Sequence, residues 1–155
     1  MRWAVLMLWL LVCFAIAGMG ASWTESEVRG WYNTLARPSI APPNWVFGPV
    51  WTLLYALMAI AAWQASMAAG SPWKSVAITL FASQLVLNLA WSLIFFRWHQ
   101  IGWALVEVIV LWTAILLTTL AFVRVSMIAA WLMTPYLAWV SFASVLNEEY
   151  WRLNR

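Results

Sequence analysis

Charged residues cut the chain into five long apolar stretches. Residues 3–24, 38–73, 75–96 and 125–147 carry no charge, and 100–123 carry one, Glu107. A helix needs about 20 residues to cross a hydrocarbon core. Each stretch is long enough, so the pattern predicts an all-α integral membrane protein: a five-transmembrane-helix bundle forming one domain over 1–155. The expected spans are 3–20, 45–68, 74–96, 101–123 and 127–150. Connections of only a few residues force neighbouring helices to run antiparallel. Pro49 falls in the first turn of its span, where a missing N–H costs little. Pro135 lies inside the fifth, where a kink is expected and neighbouring helices can accommodate it.

The one long connection is 21–44. It holds Glu25, Glu27, Arg29, Trp31 and Arg37, then Pro38, Pro42 and Pro43. Prolines fix φ and remove backbone donors, so this segment is expected to be extended. Loops of this length are often lids, and Trp31, Pro38, Pro42 and Pro43 are its candidate lid residues. The N-terminus, with Arg2 and Ala15-Ile16-Ala17, resembles a secretory signal. The uncharged run continues past that point to residue 24, which favours a retained helix.

Polar and aromatic positions inside the spans form faces. Gln84, Asn88, Trp91 and Phe95 are spaced i, i+4, i+7 and i+11 on one side of the third helix. An amide and an indole on a buried face can orient a ring, although intramembrane amides also serve as interhelical glue. Tyr136, Trp139, Ala143 and Asn147 line up similarly on the fifth helix. There a large ring beside a small residue makes a slot, or an ordinary knob and gap. Trp51 and Tyr55 are paired at i, i+4 on the second. Small residues recur every four positions at Ser75, Thr79 and Ser83, and at Ala61, Ala65 and Ala69. That spacing lets helices approach closely and suggests a homodimer.

Composition sharpens this picture. The chain has 155 residues, 66% hydrophobic and 8% charged, with fifteen tryptophans. Trp usually concentrates at the two membrane interfaces, yet Trp51, Trp63, Trp91, Trp112 and Trp139 fall within spans. Flat indole surfaces inside a bundle suggest a site for a flat apolar ligand. The net charge of +3 is thinly spread and forms no basic stripe, so nucleic acid is not an expected partner. Arginines are slightly more numerous on the side of the C-terminus, which the positive-inside rule places in the cytoplasm.

Chemistry is sparse. There is no Asp, one His (His99, in a turn) and one Cys (Cys13, mid-span). No paired carboxylate, glycine-rich phosphate loop or metal-ligand set is visible, so no cofactor is required and an ordinary enzyme is disfavoured. Glu107 is the one acid within a span; such residues default to a functional role, against which stands simple snorkelling to the interface. With Trp103 one turn back, it is expected to edge a ligand pocket.

Several runs resemble the translocator protein family, whose members are also called tryptophan-rich sensory proteins or peripheral-type benzodiazepine receptors. They are Trp31-Tyr32, Leu35-Ala36-Arg37-Pro38-Ser39 and Pro42-Pro43-Asn44-Trp45-Val46-Phe47-Gly48-Pro49-Val50-Trp51 in the first loop and second helix. The third helix matches at Gln84 to Phe96, the fourth at Gly102-Trp103-Ala104-Leu105-Val106, and the fifth at Pro135-Tyr136-Leu137-Ala138-Trp139 and from Leu146-Asn147 to Trp151-Arg152. The resemblance implies a five-helix, usually dimeric bundle in a bacterial cell envelope. It implies binding of porphyrins (protoporphyrin IX and haem) and sterols under a lid. It carries pocket roles onto Tyr32, Trp51, Tyr55, Asn88, Trp91, Trp139 and Ala143. Leu146, Tyr150 and Arg152 fit the spacing of the proposed cholesterol-recognition pattern. The chain departs from the family at Ile40, where an aromatic is common, and at Glu107, where Asp is common. Transport, sensing or regulation of tetrapyrroles is the leading expectation. A porphyrin-degrading enzyme and a proton-coupled exporter using Glu107 with an aromatic cage are the alternatives.

Overall fold

The computed structural model describes residues 2–155, and its five long helices are each apolar enough to cross a membrane. They are α1 (Arg2–Val28), α2 (Phe47–Met67), α3 (Lys74–Ser92), α4 (Ile101–Val123) and α5 (Met127–Leu153). Two short 3-10 turns, Trp31–Thr34 and Asn44–Val46, lie between α1 and α2. A π-helical turn, Leu93–Arg97, extends α3. The protein is an integral membrane bundle.

The helices form a closed ring. α1 packs on α2, α2 on α5, α5 on α4, α4 on α3, and α3 returns to α1. Small residues permit the closest approaches. A Cβ on Gly20 of α1 would lie 3.3 Å from Ser92 Oγ, and one on Gly102 of α4 would lie 3.0 Å from Trp151 Nε1.

The ring is unevenly filled. At one end Met58, Phe81, Ile115, Phe122, Met133 and Tyr136 make a solid core. At the other end a second cluster of Tyr32, Phe95, Phe96, Ile101, Ala104, Leu146 and Tyr150 closes the bundle. Side chains between the two leave a hollow.

One feature differs from expectation. The segment 21–44 is not extended throughout, because α1 continues to Val28. Residues 21–28 contain neither Pro nor Gly, and a helix need not stop where charges begin. As the expected span has it, α5 runs through Pro135. The proline removes the N–H that Trp131 O would accept, and the hydroxyl of Thr134 donates to that carbonyl at 2.8 Å instead.

Candidate functional site

The hollow has a volume of about 500 Å³. α1, α2, α3 with its π-turn, and α5 form its walls; α4 does not reach it. Trp51 and Tyr55 face it from α2, Asn88 and Trp91 from α3, and Trp139 and Ala143 from α5. Tyr32 closes it from the loop. Seven of the sequence-derived candidates therefore meet in one place: Tyr32, Trp51, Tyr55, Asn88, Trp91, Trp139 and Ala143. A helix exposes one face to the bundle axis, and the spacings put these residues on those faces.

The floor is a buried polar network. The hydroxyl of Tyr55 donates to Asn88 Oδ1, and Asn88 Nδ2 donates to the Tyr136 hydroxyl at 2.8 Å. Tyr136 itself lies behind the cavity wall, fully buried. Asn88 is thus interhelical glue joining α2, α3 and α5, with one amide hydrogen left over. Trp91 is held in a similar way. Its indole N–H donates to Asn147 Oδ1 at 3.0 Å, and Asn147 Nδ2 donates to the Ile101 carbonyl at 3.0 Å. With its N–H engaged, Trp91 offers a ligand only its face. Part of its ring surface is already stacked on Phe95, centroids 5.1 Å apart and planes 25° apart.

Aromatic contacts continue around the cavity. Trp51 packs at 5.7 Å on Tyr55 and 6.2 Å on Tyr136, and Trp139 meets Phe47 edge-on at 5.9 Å. The π-turn matters because one extra residue per turn shifts the register. It buries both Phe95 and Phe96 beneath the connection between α1 and α2, which forms the cap of the cavity.

The cap is strapped at several points. Arg37 donates to Asn44 Oδ1 at 3.1 Å and to the Pro42 carbonyl. Asn154 brackets Ala36, accepting from its N–H at 2.8 Å and donating to its carbonyl at 3.1 Å. Trp31 stacks on the His99 ring at 4.1 Å, and His99 Nε2 lies 2.9 Å from Glu27 Oε2. The Tyr32 hydroxyl accepts from Tyr150 at 2.7 Å. Burial pushes the Tyr32 phenol above its ordinary range. Among the lid candidates, Pro38 is buried and Pro42 half-buried, while Pro43 is exposed.

Several expectations are corrected. Trp103 does not line the cavity; it is 68% exposed on the outside of α4. With Glu107 it edges a separate groove on the outer surface. α4 faces away from the cavity, and i, i+4 spacing alone cannot tell an inner from an outer face. Trp63 and Trp112 also lie elsewhere. Trp63 bonds to the Arg2 carbonyl at 3.0 Å and Trp112 to Ser141 at 2.7 Å. Gln84 is buried below the cavity, its Oε1 without a partner. Leu146 and Tyr150 point inward and line the cavity, whereas Arg152 is exposed and pairs with Glu149 at 3.2 Å. The three do not share a lipid-facing surface. Ala61 and Ala65 are fully buried within the bundle, so of the two small-residue stripes only Ser75, Thr79 and Ser83 face outward.

The contribution of α1 is absent from the sequence-derived set. Ala17, Ala21, Thr24 and Val28 line the cavity. Their spacing of i, i+4, i+7 and i+11 is a readable helical face of small residues. At the mouth, Glu25 and Arg29 complete the lining. No three His, Cys, Asp or Glu side chains gather to hold a metal ion among the described residues.

A sequence model of the TspO/MBR family matches residues 9–152. The chain is 44% identical to Tryptophan-rich protein TspO of Chlorobaculum tepidum over 147 residues, covering 92% of this chain and 91% of that one. It is 40% identical to the Translocator protein of Homo sapiens over 146 residues, covering 93% and 84%. It is 38% identical to the Tryptophan-rich sensory protein of Cereibacter sphaeroides over 154 residues, covering 99% and 94%.

Proposed function

The chain belongs to the TspO/MBR family, and from that premise we propose that its cavity binds porphyrins, protoporphyrin IX and haem among them, and sterol-like apolar ligands. The relatives are named as translocator and sensory proteins, and a membrane receptor or sensor role follows for this chain. The ligand would then be transported, sensed or regulated rather than consumed.

One observation carries the reading: a capped cavity of about 500 Å³ whose walls include the flat rings of Trp51, Trp91 and Trp139. That volume is within the range of small-molecule sites, roughly 300–1,000 Å³. Ala143 leaves space beside Trp139 for the edge of a large ring. Most polar groups on the wall are engaged in hydrogen bonds within the protein, so the cavity favours an extended apolar body over a hydrophilic one. The cap supplies an entrance at the end of the bundle that also holds the α3–α4 turn and the C-terminus. The arginine bias along the sequence supports a cytoplasmic position for that end.

The test is a titration of protoporphyrin IX, and separately of a sterol, into the purified protein in lipid nanodiscs, read by quenching of Trp fluorescence. Saturable quenching by the porphyrin and competition between the two ligands are expected. A linear, non-saturating response to both would overturn the reading. A Soret band that is stable in light and dark fits binding; one that decays only with protein present would move the chain to the porphyrin-degrading alternative.

A further inference from the structure

Glu107 lies outside the site described above and lacks a partner. Both carboxyl oxygens are buried, and neither makes a hydrogen bond. The two ion pairs among the described residues, His99 with Glu27 and Arg152 with Glu149, do not involve it. No other acid lies in the core of a span. An unmatched intramembrane carboxyl is expensive, and such groups mark functional sites.

Its stem forms part of a groove on the outer surface. The groove has a volume of about 380 Å³ and is lined by Ile94, Trp98, Gln100, Trp103, Val106 and Glu107. Two of these are large exposed indoles, Trp98 at 58% and Trp103 at 68%. The groove opens towards lipid, and its upper end is the Arg97–Gln100 turn at the membrane interface. Glu107 lies seven residues beyond that turn, about 10 Å deeper at 1.5 Å per residue.

We propose that this groove is a second ligand site, for an amphiphilic organic ammonium ion. In its ionised form the carboxyl offers only acceptors, so the ligand must bring the donors and the positive charge. The two indoles lining the groove can add cation–π attraction, for which Trp is the best side chain. No basic residue of the chain lines the groove, so the ligand's charge has no competitor there. The apolar walls at Ile94 and Val106 take the alkyl portion. Binding requires the buried carboxyl to rotate about the glutamate stem from beneath the groove to meet the ammonium. The main cavity and the groove share no lining residue, so the two sites are separate.

The experiment uses the full chain in nanodiscs and a long-chain primary alkylamine carrying a photoreactive diazirine. After irradiation, labelled peptides are mapped. Expected is saturable labelling concentrated in residues 94–107, displaced by unlabelled alkylamine. The alkyl alcohol of the same length should not displace it, because it lacks charge, and protoporphyrin IX should not, because it occupies the other cavity. Glu107→Gln keeps the shape and removes the charge; it should weaken labelling about tenfold or more while the thermal melt holds. Trp103→Leu should weaken it by a smaller factor. The proposal is overturned by labelling spread evenly over the lipid-facing helix surfaces, by undiminished labelling of Glu107→Gln, or by displacement with the alcohol or the porphyrin. If Glu107→Gln fails to fold, the alcohol and porphyrin competitions on the parent protein decide the matter alone.

Discussion

Tyr150 donates its hydroxyl hydrogen to the Tyr32 hydroxyl at 2.7 Å, joining the last helix to the cap across 118 residues of sequence. Both rings are buried. Tyr32→Phe removes the acceptor and leaves the Tyr150 hydroxyl buried without it. The expected cost is about 1–3 kcal/mol of stability, with faster hydrogen exchange in residues 31–38. The Tyr32 phenol is held above its ordinary range. A raised folded value stabilises the neutral form. Its contribution is therefore complete below the ordinary tyrosine value of about 10 and declines as pH rises above it. Thermal melts of the parent should fall from about pH 10 upward, and those of Tyr32→Phe should fall less steeply. Parallel pH profiles would show that Tyr32 contributes nothing to the closure.

Trp51→Ala and Trp139→Ala should each weaken protoporphyrin binding. A stacked ring contributes on the order of 1 kcal/mol, which is about fivefold in Kd. Trp112→Ala is the matched control, because Trp112 lies outside the cavity and bonds to Ser141. Fluorescence titration of the three variants checks the ranking. Equal affinity for all would separate the cavity from porphyrin binding.

Ala143→Phe places a ring in the slot beside Trp139. Porphyrin and sterol binding should be lost together. Because the added ring enters empty space, the melt should drop by no more than the about 1–3 kcal/mol of overpacking. A variant that binds as well as the parent shows that ligand does not enter that part of the cavity.

Asn88→Leu tests the amide in the floor. Its loss strands the Tyr55 and Tyr136 hydroxyls between three helices. A destabilisation of about 1–3 kcal/mol is expected, measured by unfolding in mild detergent. Porphyrin affinity should change less than in Trp139→Ala, since most of the amide's hydrogen bonds go to protein. The reverse ranking would make Asn88 chiefly a ligand group.

For the proposed homodimer, the remaining outward stripe is Ser75, Thr79 and Ser83 on α3, all exposed. Thr79→Trp and Ser83→Trp should convert a dimer in mild detergent to monomer, read by light scattering and cross-linking. Bulky variants that remain dimeric would leave the stripe as plain lipid-facing surface.

The sequence by itself determined the five helices, because a charge-free run of spanning length has no other way to satisfy its backbone in lipid. It determined which residues share a helical face, because that depends only on 3.6 residues per turn. Trp51 with Tyr55, Asn88 with Trp91, and Trp139 with Ala143 were legible for this reason. Periodicity does not say which face looks inward. That depends on the ring order α1–α2–α5–α4–α3, which leaves α4 outside the cavity and turns Trp103 and Glu107 to the outer surface. Local composition does not reveal the π-turn that buries both Phe95 and Phe96, since it follows from how α3 fits its neighbours. The inward turn of Tyr150 was hidden too, because its partner Tyr32 is 118 positions away. Such pairings form only when distant segments pack, so the closure of the cap was decided by tertiary structure alone.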